Sequence, residues 1–212
     1  MKTRPAWIET YKLKNVQYKL AGSVILLALV LYFYSDFLKF IESREGFVLN
    51  DPILKLFTPV DLTWLTFLAI YLSLLSGILI LIRNPVRLML ALQVYTVLIL
   101  VRMIAMYSVP FNPPPSMIPL NDPFVQFFGT GKLLTKDLFF SGHTATLFLL
   151  FLVIDKRPYK QVFLFLTLLV GVCVILQHVH YSIDVFSAPF FTYGCYILVK
   201  RARERVNLIN IT

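Results

Sequence analysis

The stretch KDLFFSGHTATLFLLFLVI, from Lys136 to Ile154, places Lys136, Asp137, Ser141, Gly142 and His143 immediately before an uninterrupted apolar run. A second stretch, HVHYSIDVFSAPFF from His178, places His180 and Asp184 at the mouth of another, and Arg102 stands near the end of a third. These residue types fit phosphoryl transfer that needs neither a metal nor a cofactor. An imidazole held by a carboxylate is a competent nucleophile toward phosphorus. A second imidazole can protonate the departing alkoxide and later act as base. Arginine recognises phosphate oxygens through paired N–H donors, and a helix opening at Ser-Gly adds backbone N–H groups as an anion cradle.

Each residue also has a plainer reading. Ser141 could simply cap a helix, and Asp184 could be an acidic first-turn residue favoured by the helix dipole, with His180 left outside the helix. If the helix instead starts by His180, the four-residue spacing puts His180 and Asp184 on one face within reach of each other. Arg102 could snorkel to lipid headgroups, Lys136 could anchor there too, and His178 reads as a packing or interfacial histidine. A His-x-His pair with a carboxylate could also ligate zinc, although no further carboxylates crowd His143. It is the convergence of the set that favours a site.

The elements that must position these residues are membrane spans. The chain has 212 residues, 58% hydrophobic and 15% charged, with a mean hydropathy of +0.75, too apolar for a soluble domain of this size. Apolar stretches near the length of a bilayer-crossing helix run from Leu20 to Leu38, Leu62 to Ile82, Leu88 to Val109, Leu138 to Ile154, Gln161 to Gln177 and Ser182 to Val199. The expectation is an all-α, six-helix polytopic bundle over 20–199, between basic tails at 1–19 and 200–212, with no cleaved signal. With six spans, 14 of the 20 Lys and Arg residues fall on the side of the two termini, which predicts cytoplasmic termini. The net charge of +9 then reads as orientation and contact with anionic lipid, not nucleic-acid binding. All three histidines fall on the opposite, exoplasmic side, under a proline-rich third loop (VPFNPPPSMIPLNDP) too broken for helix. Phe124, Phe127, Phe128, Phe139 and Phe140 should make this an apolar vestibule. Cys173 and Cys195 fall at different depths, which argues against a disulfide.

FSGHT, Phe140 to Thr144, with Asp137 three residues upstream, followed by HYSIDV, His180 to Val185, resembles the sphingomyelin synthase family, a branch of the type-2 phosphatidic acid phosphatase superfamily. RMIAMY, Arg102 to Tyr107, looks like its arginine motif, and PVD, Pro59 to Asp61, is a looser echo of its proline-aspartate segment. The resemblance runs from about Pro59 to Val199. It implies a six-helix enzyme moving a phosphorylated head group from a glycerophospholipid donor to a lipid-alcohol acceptor such as ceramide or diacylglycerol. The implied catalytic triad is His143, His180 and Asp184, with Arg102, Tyr107, Lys136, Asp137, Ser141 and Gly142 around the substrate. The chain departs from the family at Thr135 and Lys136, where synthases commonly read Cys-Gly before the aspartate. It also lacks the Lys-x6-Arg-Pro motif of lipid phosphatases. A hydrolase of the same architecture, a lipid phosphatase or phospholipase C, is the competing reading, and a scaffold that has lost turnover is the non-enzymatic one.

Overall fold

The computed structural model describes residues 14–120 and 134–209, with side chains from 16 to 205 outside the gap. Phe124, Phe127 and Phe128, and most of the N-terminal tail, lie outside the described residues. Six α-helices follow in order: α1 (Lys14–Ser43), α2 (Thr63–Leu81), α3 (Pro85–Ser108), α4 (Gly142–Val153), α5 (Arg157–Leu176) and α6 (Ser182–Ile209). No strand forms among the described residues. Five of the six are long and apolar enough to cross a membrane, and α4 is shorter. Their outward side chains are those of a lipid-facing surface: Leu68, Phe165, Leu168 and Phe190 are between 58% and 78% exposed, and water would not stabilise such a girdle.

The helix boundaries have local causes. Asn84 accepts the amide of Arg87 at 3.2 Å and Pro85 opens α3, the arrangement of a side-chain cap followed by a residue with no amide to satisfy. Inside the bundle α4 is central, packing on α5, α6 and α3. Val94, Ala145 and Ala188 are fully buried at these contacts, and side chains of that size let backbones approach closely. Some buried hydroxyls turn back on their own helices, as Ser73 does to the Ala69 carbonyl at 2.6 Å and Thr192 to Ala188 at 2.7 Å, which satisfies these donors inside the bundle.

Several helix ends differ from the sequence expectation. α1 begins before Leu20 and runs on to Ser43, while α6 continues past Val199 through its basic residues to Ile209; charge marks where the apolar run ends, not where the helix does. Span four, expected from Leu138, becomes helical only at Gly142. Leu138 and Phe140 are instead buried as extended chain, at 2% and 0% exposure. The resulting 12-residue helix rises about 18 Å, against about 30 Å of hydrocarbon.

Above this recess the loops interlock. Phe47 and Phe111 form an isolated bridge, with the Phe47 amide donating to the Pro110 carbonyl at 3.0 Å and that of Asn112 to Phe47 at 2.9 Å. A Cβ at Gly46 would stand 2.6 Å from the Pro110 carbonyl oxygen, so only glycine allows this crossing. Gln177, fully buried, accepts the Leu62 amide and donates to Thr63 Oγ1 and the Ile118 carbonyl. It thereby ties the proline-rich loop to the α5–α6 turn and the start of α2. Cys173 and Cys195 are both free.

Candidate active site

His143 occupies the first turn of α4, whose N-cap is Ser141: its hydroxyl accepts the Thr144 amide at 3.5 Å and its carbonyl accepts that of Ala145 at 3.0 Å. The Ser141 amide donates to the Asp184 carbonyl at 3.0 Å, which locks the start of α4 to the first turn of α6. His180 stands before α6, as in the plainer reading, yet its Nδ1 lies 3.4 Å from Asp184 Oδ2. The two alternatives weighed on the sequence therefore merge. The same Oδ2 accepts the Tyr181 amide at 3.0 Å, the return half of a capping box, and that bond folds His180 back over the carboxylate. His180 and Asp184 are 2% and 0% exposed. The rings of His143 and His180 are 6.5 Å apart between centroids and inclined at 70°. In the tautomer that donates Nδ1–H to Asp184, the lone pair of His180 lies on Nε2.

Arg102 is buried and heavily engaged. Nε donates to the Phe140 carbonyl at 2.7 Å and Nη2 to that of Asp137 at 3.3 Å. Nη1 pairs with Asp137 Oδ1 at 2.8 Å and also donates to the Tyr34 hydroxyl. Tyr34 in turn donates to Asp137 Oδ1 at 3.2 Å. Three of these bonds hold the extended segment 137–140 in place, so Arg102 is no snorkelling side chain. A Cβ at Gly142 would come within 3.0 Å of the guanidinium, which is why the helix can open directly on that charge. Arg102, Asp137, Ser141, Gly142, His143, His180 and Asp184 thus come together.

Lys136 and Tyr107 do not join them. The Lys136 ammonium donates to the Arg44 carbonyl, and Glu42 accepts the amides of Thr135 and Lys136 at 3.0 Å each. Tyr107 is 58% exposed and stacks on Phe40 beneath the Arg44 guanidinium. Asp61 is exposed and accepts the Thr63 amide at 3.0 Å, a cap on α2. His178 packs its edge on Phe57 and shares a 2.6 Å hydrogen bond with Ser116; burial holds it below the usual imidazole range, with Asp51 opposing. Among the described residues no three His, Cys, Asp or Glu side chains gather as a metal-binding group.

Asp51 was not legible in the sequence, where it reads as a turn residue before Pro52. Its Oδ2 accepts the Ser182 amide at 2.6 Å and its Oδ1 those of Ile53 and Leu54, so a distant loop caps the helix that carries Asp184. Burial pushes this carboxyl up, but the amide donors outweigh it and hold it below the value of 3.8 expected for a free aspartate. A depressed pKa contributes stability above the unfolded value and loses it as pH falls through the folded one. Asp51→Ala should therefore cost roughly 1–2 kcal/mol at neutral pH, the magnitude of a lost cap. Thermal unfolding of the purified protein should show the variant and the parent converging below pH 3.8. A constant gap from pH 7 to that acid range would mean the carboxylate charge is not what matters.

Residues 136–201 match the family model described as PAP2 superfamily C-terminal. The match covers less than half of the chain. It supports the type-2 phosphatidic acid phosphatase superfamily without reaching the sphingomyelin synthase branch. No curated protein matches the chain. The matched segment holds Asp137, His143, His180 and Asp184, whereas Arg102 and Tyr34 reach that PAP2 segment from α3 and α1. Together with five membrane-length apolar helices, the match supports an integral multi-pass membrane protein with a fold of the lipid phosphatase and phosphotransferase type.

Proposed function

We propose that the chain transfers a phosphorylated head group from a glycerophospholipid to a lipid alcohol of the ceramide or diacylglycerol type. One observation carries this reading: the buried His180–Asp184 pair with His143 facing it across 6.5 Å. His180 Nε2 attacks phosphorus, the P–O bond to the diacylglycerol breaks, and His143 gives that oxygen its proton. An acceptor hydroxyl then returns a proton to His143 as it attacks phosphorus, and the P–N bond breaks to restore His180. Asp184 stabilises the charged imidazole between the two steps. Arg102 and the α4 N-terminus supply fixed positive charge beside the phosphoryl oxygens.

The preference for a lipid acceptor over water rests on enclosure. Phe111, Leu138 and Tyr181 belong to a buried cluster with Phe139 packed against it, and Leu138 and Tyr181 directly follow Asp137 and His180 in the chain. Closure of this kind excludes water from a reactive intermediate. Given donor labelled in its head group, with ceramide or diacylglycerol present, the label should appear mainly on the lipid acceptor. Release into water whatever alcohol is offered would establish the hydrolase. The distribution of basic residues supports an exoplasmic site, so in sealed, oriented vesicles a Lys55→Cys variant should react with an impermeant thiol reagent from outside only. Labelling from the cytoplasmic side alone would reverse the topology.

A further inference from the structure

A cavity of about 940 Å³ opens at the end of the bundle away from the histidines. It lies between the α2–α3 turn, the α4–α5 turn and the last third of α6, so α4 and α6 each have one end here and the other at the candidate site. Its interior is apolar, with Leu81, Leu90 and Ile154 among its walls, and Tyr159 and Tyr196 beside them. Its rim is basic. Arg83, Lys156, Lys200 and Arg203 arrive from three separate segments, and the acidic residues beside them are Glu204 and Asp155.

The remaining charges of the cavity are already used. Arg87 donates to the Val153 carbonyl at 2.6 Å and pairs with Asp155, an internal tie between α3 and the end of α4. Arg203 reaches the Val86 carbonyl only at 3.4 and 3.5 Å. Arg83 and Lys200 have no carboxylate partner among the described residues, and Lys156 only leans over Tyr159. Helices α3 and α5 both begin at this rim, and neither has an acidic residue in its first turn. Their N-terminal dipoles therefore add to the positive field instead of being neutralised. Basic residues that merely set membrane orientation are free to spread over the surface; these surround a concavity whose depth is apolar.

We infer that this cavity binds the phosphate of an anionic phospholipid from the leaflet beside the basic loops, with an acyl chain in the apolar interior. The site is distinct from the histidine pair and does not depend on the reaction assigned there. Phosphatidylglycerol is a suitable probe, because its single phosphate carries no compensating cation.

The test uses the full chain in phosphatidylcholine nanodiscs doped with phosphatidylglycerol, with retained lipid counted by native mass spectrometry and the unfolding midpoint followed. Phosphatidylglycerol should bind saturably and raise the midpoint. Arg83→Gln combined with Lys200→Gln should weaken binding by about tenfold or more, as loss of charge-assisted phosphate contacts does. Arg157→Gln combined with Arg201→Gln removes two exposed cations from the same end outside the cavity, and should leave binding within about twofold, as expected of screened surface charge. Equal losses in both double variants, or no loss in either, would overturn the cavity site. Competition by glycerol phosphate or inorganic phosphate at the concentration of the lipid would overturn the lipid assignment and leave a soluble phosphate as the ligand.

Discussion

His180→Ala and His143→Ala should each abolish transfer and release alike in protein that still folds, and Asp184→Asn should lower turnover by roughly 10³-fold or more, the scale of loss when an orienting carboxylate becomes an amide. The three substitutions are expected to act alike because each residue enters both half-reactions of the proposed transfer. Asn at 184 could still accept the Tyr181 amide through its oxygen, so the helix start is kept while the charge facing His180 Nδ1 is removed. The measurement is label on the lipid acceptor and label in water, each normalised to protein that retains its unfolding midpoint. Full activity in His180→Ala would remove the site assignment. Loss confined to Asp184→Asn would leave the aspartate with a structural role alone.

Arg102→Ala is expected to have the largest effect on stability, about 3–5 kcal/mol, because it leaves the Asp137 carboxylate and its neighbours without their cation. The guanidinium holds Asp137, Phe140 and Tyr34 at once, and a point charge cannot reproduce that fork. Arg102→Lys should thus recover part of the stability and little of the activity. Unfolding midpoints and transfer rates measured on the same preparations separate the two roles. If Arg102→Lys transfers at the parental rate, the fork geometry is irrelevant to the site.

The six helices could be read from the sequence because apolar run length is nearly sufficient evidence for a spanning helix. Run length was misleading where an apolar stretch had another use. Leu138 to Phe140 looks like the start of span four, yet it packs as extended chain, because Arg102 takes up the Asp137 and Phe140 carbonyls there in place of helical bonds. The His143, His180 and Asp184 set could be picked out as a candidate because each sits beside a helix start. Asp51 and Tyr34 could not: their partners are 131 and 68 residues away in sequence, and nothing local marks them. Glu42 did carry a signal. An acid in the last turn of α1 opposes the helix dipole, and its compensation is the pair of amides it accepts from Thr135 and Lys136.

The brevity of α4 bears on which molecules can reach the histidines. Arg102 lies six residues before the end of α3, so the charge beside His143 is sunk about 9 Å beneath that helix end. A floor at that level acts as a depth gauge along the bilayer normal. On the proposed reading, the alcohol of a ceramide or diacylglycerol, which rides close to the boundary between headgroups and acyl chains, can slide sideways to the histidines without leaving its leaflet. A sugar or free glycerol would have to descend from water. On the proposed reading, adding one helical turn within α4 after His143 would raise it by about 5.4 Å, and would move the preferred acceptor from lipid alcohols toward soluble ones.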